Sequence, residues 1–408
     1  MNILFLTTIK FNKGENKGLF ADLTYTLSKK GHKVYVASPN EKLNGKETIY
    51  YKEDEIAVLK IYVGNISKVR SLFKKALSMC FLPYHYKKSI NKYWNNIKFD
   101  LIIYATPPIS FNRLIRKLKK NNNCSSYLML KDIFPQNALD IQMISRMNPI
   151  YHLYRFQEKQ LYKTSDYIGC MSQKNIEYLM NHNSYLDKNK IELFPNSIIP
   201  FFQGQVGIEK KIDDIRYEFM KKYQINDNVC KFIMGGNFGR PQGVNFIKEI
   251  IRNFHHVKKS LLVIIGSGTE FTRMQTEVKK KNYKNVILLN KINKLKYDLL
   301  IKSFDVGIIT LDNRFTIPNF PSRILPYMDA QLPILAATDV NTDLREIIIE
   351  NEIGMWCESL DINVFIRLAN KLSENKQLRN ELGLNSKNYL HENYNIENNI
   401  NIMLNHFK

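Results

Sequence analysis

The chain has 408 residues, 44% of them apolar, which is enough for about two domains with sizeable cores. Aromatic residues make up 12%, a content that excludes a disordered chain. The net charge of +22 is uneven: residues 1–200 hold 31 Lys/Arg against 15 Asp/Glu, and residues 201–408 hold 29 against 23.

A basic excess concentrated in one half predicts an anionic partner there, nucleic acid or an acidic membrane. The five cysteines, Cys80, Cys124, Cys170, Cys230 and Cys357, have neither metal-site nor redox spacing, so a reducing cytoplasm is expected. No signal peptide is visible, and no apolar run reaches the ~20 residues of a spanning helix. A soluble or peripheral protein is expected.

In chain order, Asn2–Thr7 reads as a buried strand. A Lys/Gly/Asn loop follows, then a helix over Leu19–Lys30 with Gly31 as its C-cap, then a strand over Val34–Ser38. Strand, loop, helix, strand opens a doubly wound α/β domain. Residues 68–82 place Val69, Leu72, Phe73, Ala76, Leu77, Cys80 and Phe81 on one helical face and Arg70, Lys74, Lys75 and Ser78 largely opposite. Pro83 is expected to stop this helix. A second segment, 86–97, aligns Ile90, Tyr93, Trp94 and Ile97 beside Lys87, Lys88 and Lys92. Lys68 to Lys98 contains no acid, whereas ordinary helix surfaces mix signs. Docking onto an anionic membrane face is therefore expected, against the plainer alternative of a helix on the sheet with a solvated lysine face. Nucleic acid is not expected, because zinc-finger spacing, an RNP-like string and a basic recognition helix are all missing.

Further strands are expected at Leu101–Ala105, Tyr127–Leu130, Tyr167–Met171 and Ile191–Phe194. In such sheets ligand groups sit at the carboxyl ends of strands. Residues 201–216 read as a linker into a second α/β run. Lys231–Gly235 is a strand, followed by the turn Gly235-Gly236-Asn237-Phe238-Gly239-Arg240-Pro241-Gln242-Gly243 and a helix from Val244. Its glycines allow backbone to approach a phosphate at a helix start, and Arg240 can neutralise charge. A second turn, Gly266-Ser267-Gly268, closes the strand Leu261–Ile265. A third segment, Asn319–Leu325, opens a helix that Ser322 can cap, with Arg323 reaching a phosphate. Strands at Val286–Leu289, Val306–Thr310 and Ile334–Ala337 complete the run. One glycine turn is a weak signal; three such features in order predict a gripped nucleoside diphosphate.

The strings GGNFGRPQG, IIGSGTE, FDVGIITL and PSRILPYMDAQLPILAATD resemble the second domain of the retaining GT-B glycosyltransferase family GT4. NILFLTT, KKGHKVYVASP and FPNS resemble its first domain. YLMLKDIFPQNALD resembles a bacterial O-antigen and capsule branch that includes a putative fucosamine transferase. The resemblance covers nearly the whole chain. It implies two Rossmann-like domains facing across a cleft: residues 1–200 for the acceptor, 201–384 for the nucleotide sugar, and a terminal helix, 385–408, crossing back.

Carried over position by position, the resemblance implies donor binding by Gly18, Gly236, Asn237, Gly239, Gln242, Gly243, Gly266, Gly268, Ser322, Ile324 and Asp329. Arg240 and Arg323 would steady the leaving diphosphate. Asn237 and Gln242 stand where the family has an Arg and a Lys. The family's two motif glutamates fall on Pro318 and Pro326, which leaves Asp329 or Asp312 as the candidate replacement, with a solvated helix position as the bland alternative for Asp329. Asp132 matches the Asp of a His-Asp element, with Lys131 in place of the His. It would orient the acceptor hydroxyl or take its proton; otherwise it is a loop-capping Asp near Pro135. The loop at Gly14–Gly18 would line the cleft. No metal or other cofactor is expected, since no Asp-x-Asp strand end and no histidine ligand spacing occurs.

The resulting expectation is a retaining transferase at the cytoplasmic membrane face. It would move a sugar from a nucleoside-diphosphate donor, expected to be UDP-linked, to a polyprenyl-diphosphate-linked acceptor in O-antigen or capsule synthesis. The alternatives are a GT-B nucleotide-sugar epimerase and an inactive scaffold.

Overall fold

The computed structural model describes residues 1–11, 18–41, 45, 47–66, 72–202, 207–226 and 228–407. Its chain divides into two compact units, Met1–Ile198 with Ile396–Lys408, and Ile199–Asn395.

In the first unit, β1 (Asn2–Leu6) is followed by α1 (Leu19–Lys29), β2 (Lys33–Glu41), β3 (Ile49–Glu53), β4 (Ile56–Val63) and α2 (Leu72–Tyr93). Then come β5 (Leu101–Ala105), α3 (Asn112–Asn122), β6 (Ser125–Leu130), α4 (Gln136–Asp140), α5 (Pro149–Thr164), β7 (Tyr167–Cys170), α6 (Gln173–His182) and β8 (Ile191–Leu193). The sheet order is β3-β4-β2-β1-β5-β6-β7-β8. All pairings are parallel except β3 with β4. Strands reading NILFL and LIIYA are buried almost throughout, as a parallel sheet covered on both faces requires. The order reverses between β1 and β5, which places a switch point at their carboxyl ends.

The hairpin β3–β4 escaped the sequence reading. β3 is a half-exposed edge strand and Lys60 interrupts the apolar run of β4. Pro83 also behaves differently from expectation: α2 runs straight through it. A helical proline orphans the carbonyl four residues back. Here that carbonyl is Met79 O, and the hydroxyl of Ser110 donates to it at 3.3 Å.

The second unit holds α7 (Ile208–Tyr223), β9 (Cys230–Asn237), α8 (Val244–Asn253), β10 (Ser260–Ser267), α9 (Phe271–Lys281), β11 (Val286–Asn290) and α10 (Lys294–Ile301). It continues with β12 (Val306–Thr310), α11 (Ile324–Asp329), β13 (Ile334–Thr338), α12 (Leu344–Glu350), β14 (Gly354–Glu358), α13 (Ile362–Glu374) and α14 (Lys376–Asn393). The sheet order β11-β10-β9-β12-β13-β14 is parallel throughout and reverses at β9. The core of this unit fills the space between strands and helices with Phe232, Phe246, Ile250, Ile264 and Phe365, all fully buried.

The segment 385–408 is two helices, not one. α14 stays in the second unit, and α15 (Ile396–Asn405) belongs to the first, where Ile396, Ile400 and Met403 join the core of α1 and β1. The break falls where Tyr394, at the C-cap of α14, is buried against Phe320.

Candidate functional site

The glycine turn leaves the carboxyl end of β9, the strand at which the second sheet reverses. Gly236 has φ +142°, a left-handed value that favours glycine, and a Cβ there would lie 3.3 Å from Arg323 Nη1. The guanidinium therefore stands against bare backbone, and Nη1 reaches Gly235 O at 3.5 Å. Beneath it, the Tyr327 hydroxyl accepts from Gly235 N–H at 2.8 Å. Tyr297 and Tyr327 hydroxyls lie 3.4 Å apart. Burial lowers the Arg323 pKa from its usual value, while the two tyrosines act in the opposite direction. Among the described residues Arg323 has no carboxylate partner. A half-buried cation at a strand end, held by neutral groups, is built to meet an anion.

The remaining predicted donor residues divide by what they touch. Gly266 pairs in register with Gly236, and a Cβ on it would come within 2.1 Å of Gly236 O. A Cβ on Gly268, at φ +140°, would come within 2.1 Å of Phe238 O. The second turn thus buttresses the first. Gln242, expected to bind phosphate, folds back so that its Oε1 accepts from Gly239 N at 2.9 Å. Gly243, at φ +64°, starts α8 where a Cβ would press on Leu311 O at 3.0 Å. Asn237 and Arg240 are exposed on this turn.

One capping expectation and two donor assignments are corrected. Ser322 does not cap α11: Arg323 occupies the N-cap, no side chain caps it, and Ser322 is exposed. Ile324 is fully buried and its N–H binds Pro321 O, because its side chain completes the core under the sheet. Asp329 ends α11, away from the strand ends, and its carboxylate accepts Phe201 N–H at 2.6 Å, anchoring the start of the second unit. Burial, partly offset by main-chain hydrogen bonds from Phe201 and Phe202, pushes its pKa up to about 6. The alternative carboxylate, Asp312, is engaged by Arg314, whose Nε donates to Asp312 Oδ1 at 2.7 Å.

In the first unit, Lys131 and Asp132 follow β6 beside the switch-point strand β5. Thr106, just past β5, accepts both main-chain N–H groups through Oγ1, at 3.0 and 3.1 Å. Asn137 donates to Asp132 Oδ1 at 3.0 Å, yet burial still pushes the carboxyl up to about 6. Lys131 Nζ lies over the Phe194 ring at 5.4 Å and 3.5 Å from Phe194 O. Burial lowers its pKa to about 7, and Cys170 acts weakly in the opposite direction. A near-neutral amine and a protonatable carboxyl at one strand end can exchange protons with a bound hydroxyl near neutral pH. Asn137 lies in the string YLMLKDIFPQNALD and Phe194 in FPNS, but nothing in either string marks them, or Thr106, as partners of this pair. Gly18 opens α1 at φ +131° with open space around it. The rest of the Gly14–Gly18 loop lies outside the described residues. Among the described residues no group of three or more His, Cys, Asp or Glu side chains could hold a metal ion.

Residues 215–389 match the family model "Glycosyl transferases group 1". The probable glycosyltransferase WbjE of Pseudomonas aeruginosa is 22% identical over 67% of this chain and 66% of its own length, just under two thirds. An uncharacterized glycosyltransferase of Methanocaldococcus jannaschii is 24% identical over 85% of this chain and 89% of its own. Among solved structures, sucrose-phosphate synthase from Thermosynechococcus elongatus superposes with TM-score 0.76 at 15% identity, covering 99% of this chain and 97% of that one. WaaG, a glycosyltransferase of lipopolysaccharide biosynthesis, gives 0.66 at 14%, covering 98% of each. The fold is that of the GT-B glycosyltransferases, two Rossmann-like units. Its second unit carries a group 1 glycosyltransferase domain.

Proposed function

We propose that the protein transfers a sugar, with retention of configuration, from a UDP-linked donor to a sugar on a polyprenyl diphosphate during O-antigen or capsule assembly. The observation that carries the reading is Arg323, a guanidinium with no carboxylate partner among the described residues, set against the bare backbone of Gly236. Support for a uridine diphosphate comes from the similar fold of Anabaena HepE, solved in complex with UDP and glucose at TM-score 0.67 and 12% identity. The similar fold of WaaG, a glycosyltransferase involved in lipopolysaccharide biosynthesis, favours surface-polysaccharide chemistry. The fucosamine-transferring branch remains one choice of donor within this reading.

The chemistry asked of the residues is modest. The bond from the anomeric carbon to the diphosphate oxygen breaks, and the acceptor oxygen bonds to the same face of that carbon. The acceptor proton passes to the departing diphosphate. Arg323, with Arg240 on the turn, offsets the negative charge growing on that diphosphate. Lys131 and Asp132 orient the acceptor hydroxyl in the first unit. The reaction routes no step through a metal.

The test begins with a thermal-shift screen of UDP-, GDP- and dTDP-sugars. UDP-sugars are expected to stabilise the protein, and Arg323→Met to weaken UDP binding by at least about tenfold, as loss of one charged hydrogen bond implies. A labelled donor with lipid-linked acceptor is expected to give a retained glycoside. Release of free epimerised nucleotide sugar would replace the transferase reading with an epimerase. Tight binding without turnover on any acceptor would favour a scaffold, which the occupied carboxylates Asp329 and Asp312 would then explain.

A further inference from the structure

Of the apolar face expected to dock α2 onto a membrane, Ile90 and Trp94 are buried in the protein with their neighbours Leu82 and Tyr86, whereas Phe81 and Tyr93 are exposed. The residues of that stretch from Lys68 to Ser71, and the side chains of residues 72–77 and 80, lie outside the described set. What the helical layer leaves on its surface is different. Phe81 and Tyr84 of α2 are 54% and 59% exposed, and Leu153 and Phe156 of α5 are 51% and 59% exposed. Ile150 precedes them by one helical step, and Met147, just before α5, is 91% exposed.

The two groups, about seventy positions apart in sequence, sit on helices that meet the same short turn. Ser110 binds Met79 O of α2 at 3.3 Å, and Asn112 Nδ2 binds Gln157 O of α5 at 3.4 Å. The short turn Ile109–Phe111 therefore joins the two helices next to Phe81 and Phe156. That turn follows β5, so the apolar rim stands at the carboxyl edge of the sheet, the edge that carries Lys131 and Asp132. Isolated apolar side chains on a surface are ordinary, but exposed aromatics and aliphatics on two helices that flank one turn at a sheet edge are not.

The charge around the rim has one sign. Between Ile56 and Lys131 Asp100 is the sole carboxylate, against fifteen lysines and arginines. Asp100 is occupied by Asn2 N–H at 2.7 Å. Arg113, Arg116 and Lys117 are exposed along α3, between the two rim helices. Lys87 of α2 stands close enough to Lys117 to lower its pKa. On α5 the carboxylate of Glu158 is buried and turned to Arg155 and to Tyr162 at 2.7 Å. An apolar edge with a cationic collar matches a bilayer whose hydrocarbon lies just beneath anionic headgroups.

We propose that the rim formed by Phe81, Tyr84, Ile150, Leu153 and Phe156 inserts into an anionic bilayer while the α2–α3 cations hold the headgroups. This deepens the proposed function, since it would bring the acceptor edge of the first unit to a lipid-carried substrate. It does not need nucleotide and is tested without it.

The full chain is sedimented with phosphatidylcholine vesicles, with and without phosphatidylglycerol. Binding to the anionic vesicles is expected. L153S/F156S should lower the vesicle partition coefficient at least about tenfold at low salt, since two apolar side chains no longer leave water. K87Q/R113Q/K117Q should weaken binding in a salt-sensitive way. The emission of Phe156→Trp should shift to shorter wavelength on anionic vesicles only. Melting curves and UDP titrations of all variants are expected to match the parent, so a failed vesicle test leaves the donor reading intact, and the converse. Sedimentation of L153S/F156S equal to the parent would overturn the proposal. So would a parent that ignores anionic vesicles but forms a dimer that L153S/F156S dissociates.

Discussion

The glycine turn of the second unit and the strand end of the first unit make opposite uses of the polypeptide. The turn is a site made of missing side chains. Gly236, Gly266 and Gly268 let two loops and a guanidinium occupy space that any Cβ would fill. The strand end is a site made of added side chains. Thr106, Lys131, Asp132, Asn137 and Phe194 arrive from four separate segments and satisfy one another. The first kind of site is rigid and intolerant of substitution; the second is tunable, and its charge state is set by burial.

The comparison breaks most visibly at Gly268. Gly268→Ala forces a Cβ to within 2.1 Å of Phe238 O at a backbone angle that disfavours alanine. A loss of about 3 kcal/mol or more is expected from overpacking and strain together, read from the urea unfolding of the second unit. Wild-type stability for this variant would mean that the two turns do not buttress one another. The next effect is smaller. Tyr327→Phe leaves Gly235 N–H without its 2.8 Å partner. It should cost about 1–3 kcal/mol as a buried donor left unsatisfied, with a parallel weakening of UDP binding as Arg323 loses its support.

This contrast explains what was legible in the sequence. Glycines between a β run and a helix announce themselves locally, so the strand–turn–helix at β9–α8 and the second turn after β10 were read at nearly their true positions. Their partners were not. Gln242 was expected at the ligand but closes the turn, and Ile324 was expected at the ligand but fills the core. Residue type states that a group is polar or apolar; only the fold states which neighbour claims it. The strand-end pair Lys131–Asp132 was found through resemblance and the strand-end rule, while Thr106 and Asn137 gave no signal of their own. Pro83 was misread for the same reason, because the hydroxyl that rescues its helix comes from Ser110, twenty-seven positions on.

The smallest expected effect sharpens the tunable side. The carboxyl of Asp132 is pushed up to about 6 by burial, so its folded pKa lies above the unfolded carboxylate value. Stability from the neutral form is fully present below about pH 4 and is lost as pH rises through 6. Asp132→Asn keeps the shape without the charge. It should leave the melting temperature nearly unchanged at pH 4 and raise it above pH 6, by a degree or a few, about the scale of a fraction of one charge's burial cost. A pH-independent difference would show that Asp132 is solvated.

The central claim is that a diphosphate is met by Arg323 against the bare backbone of the first glycine turn. The most direct measurement is a crystal structure of the protein with UDP. The account predicts diphosphate oxygens within hydrogen-bond distance of Arg323 and beside Gly236. Density for the diphosphate elsewhere, with Arg323 left facing Gly235 O alone, would contradict it.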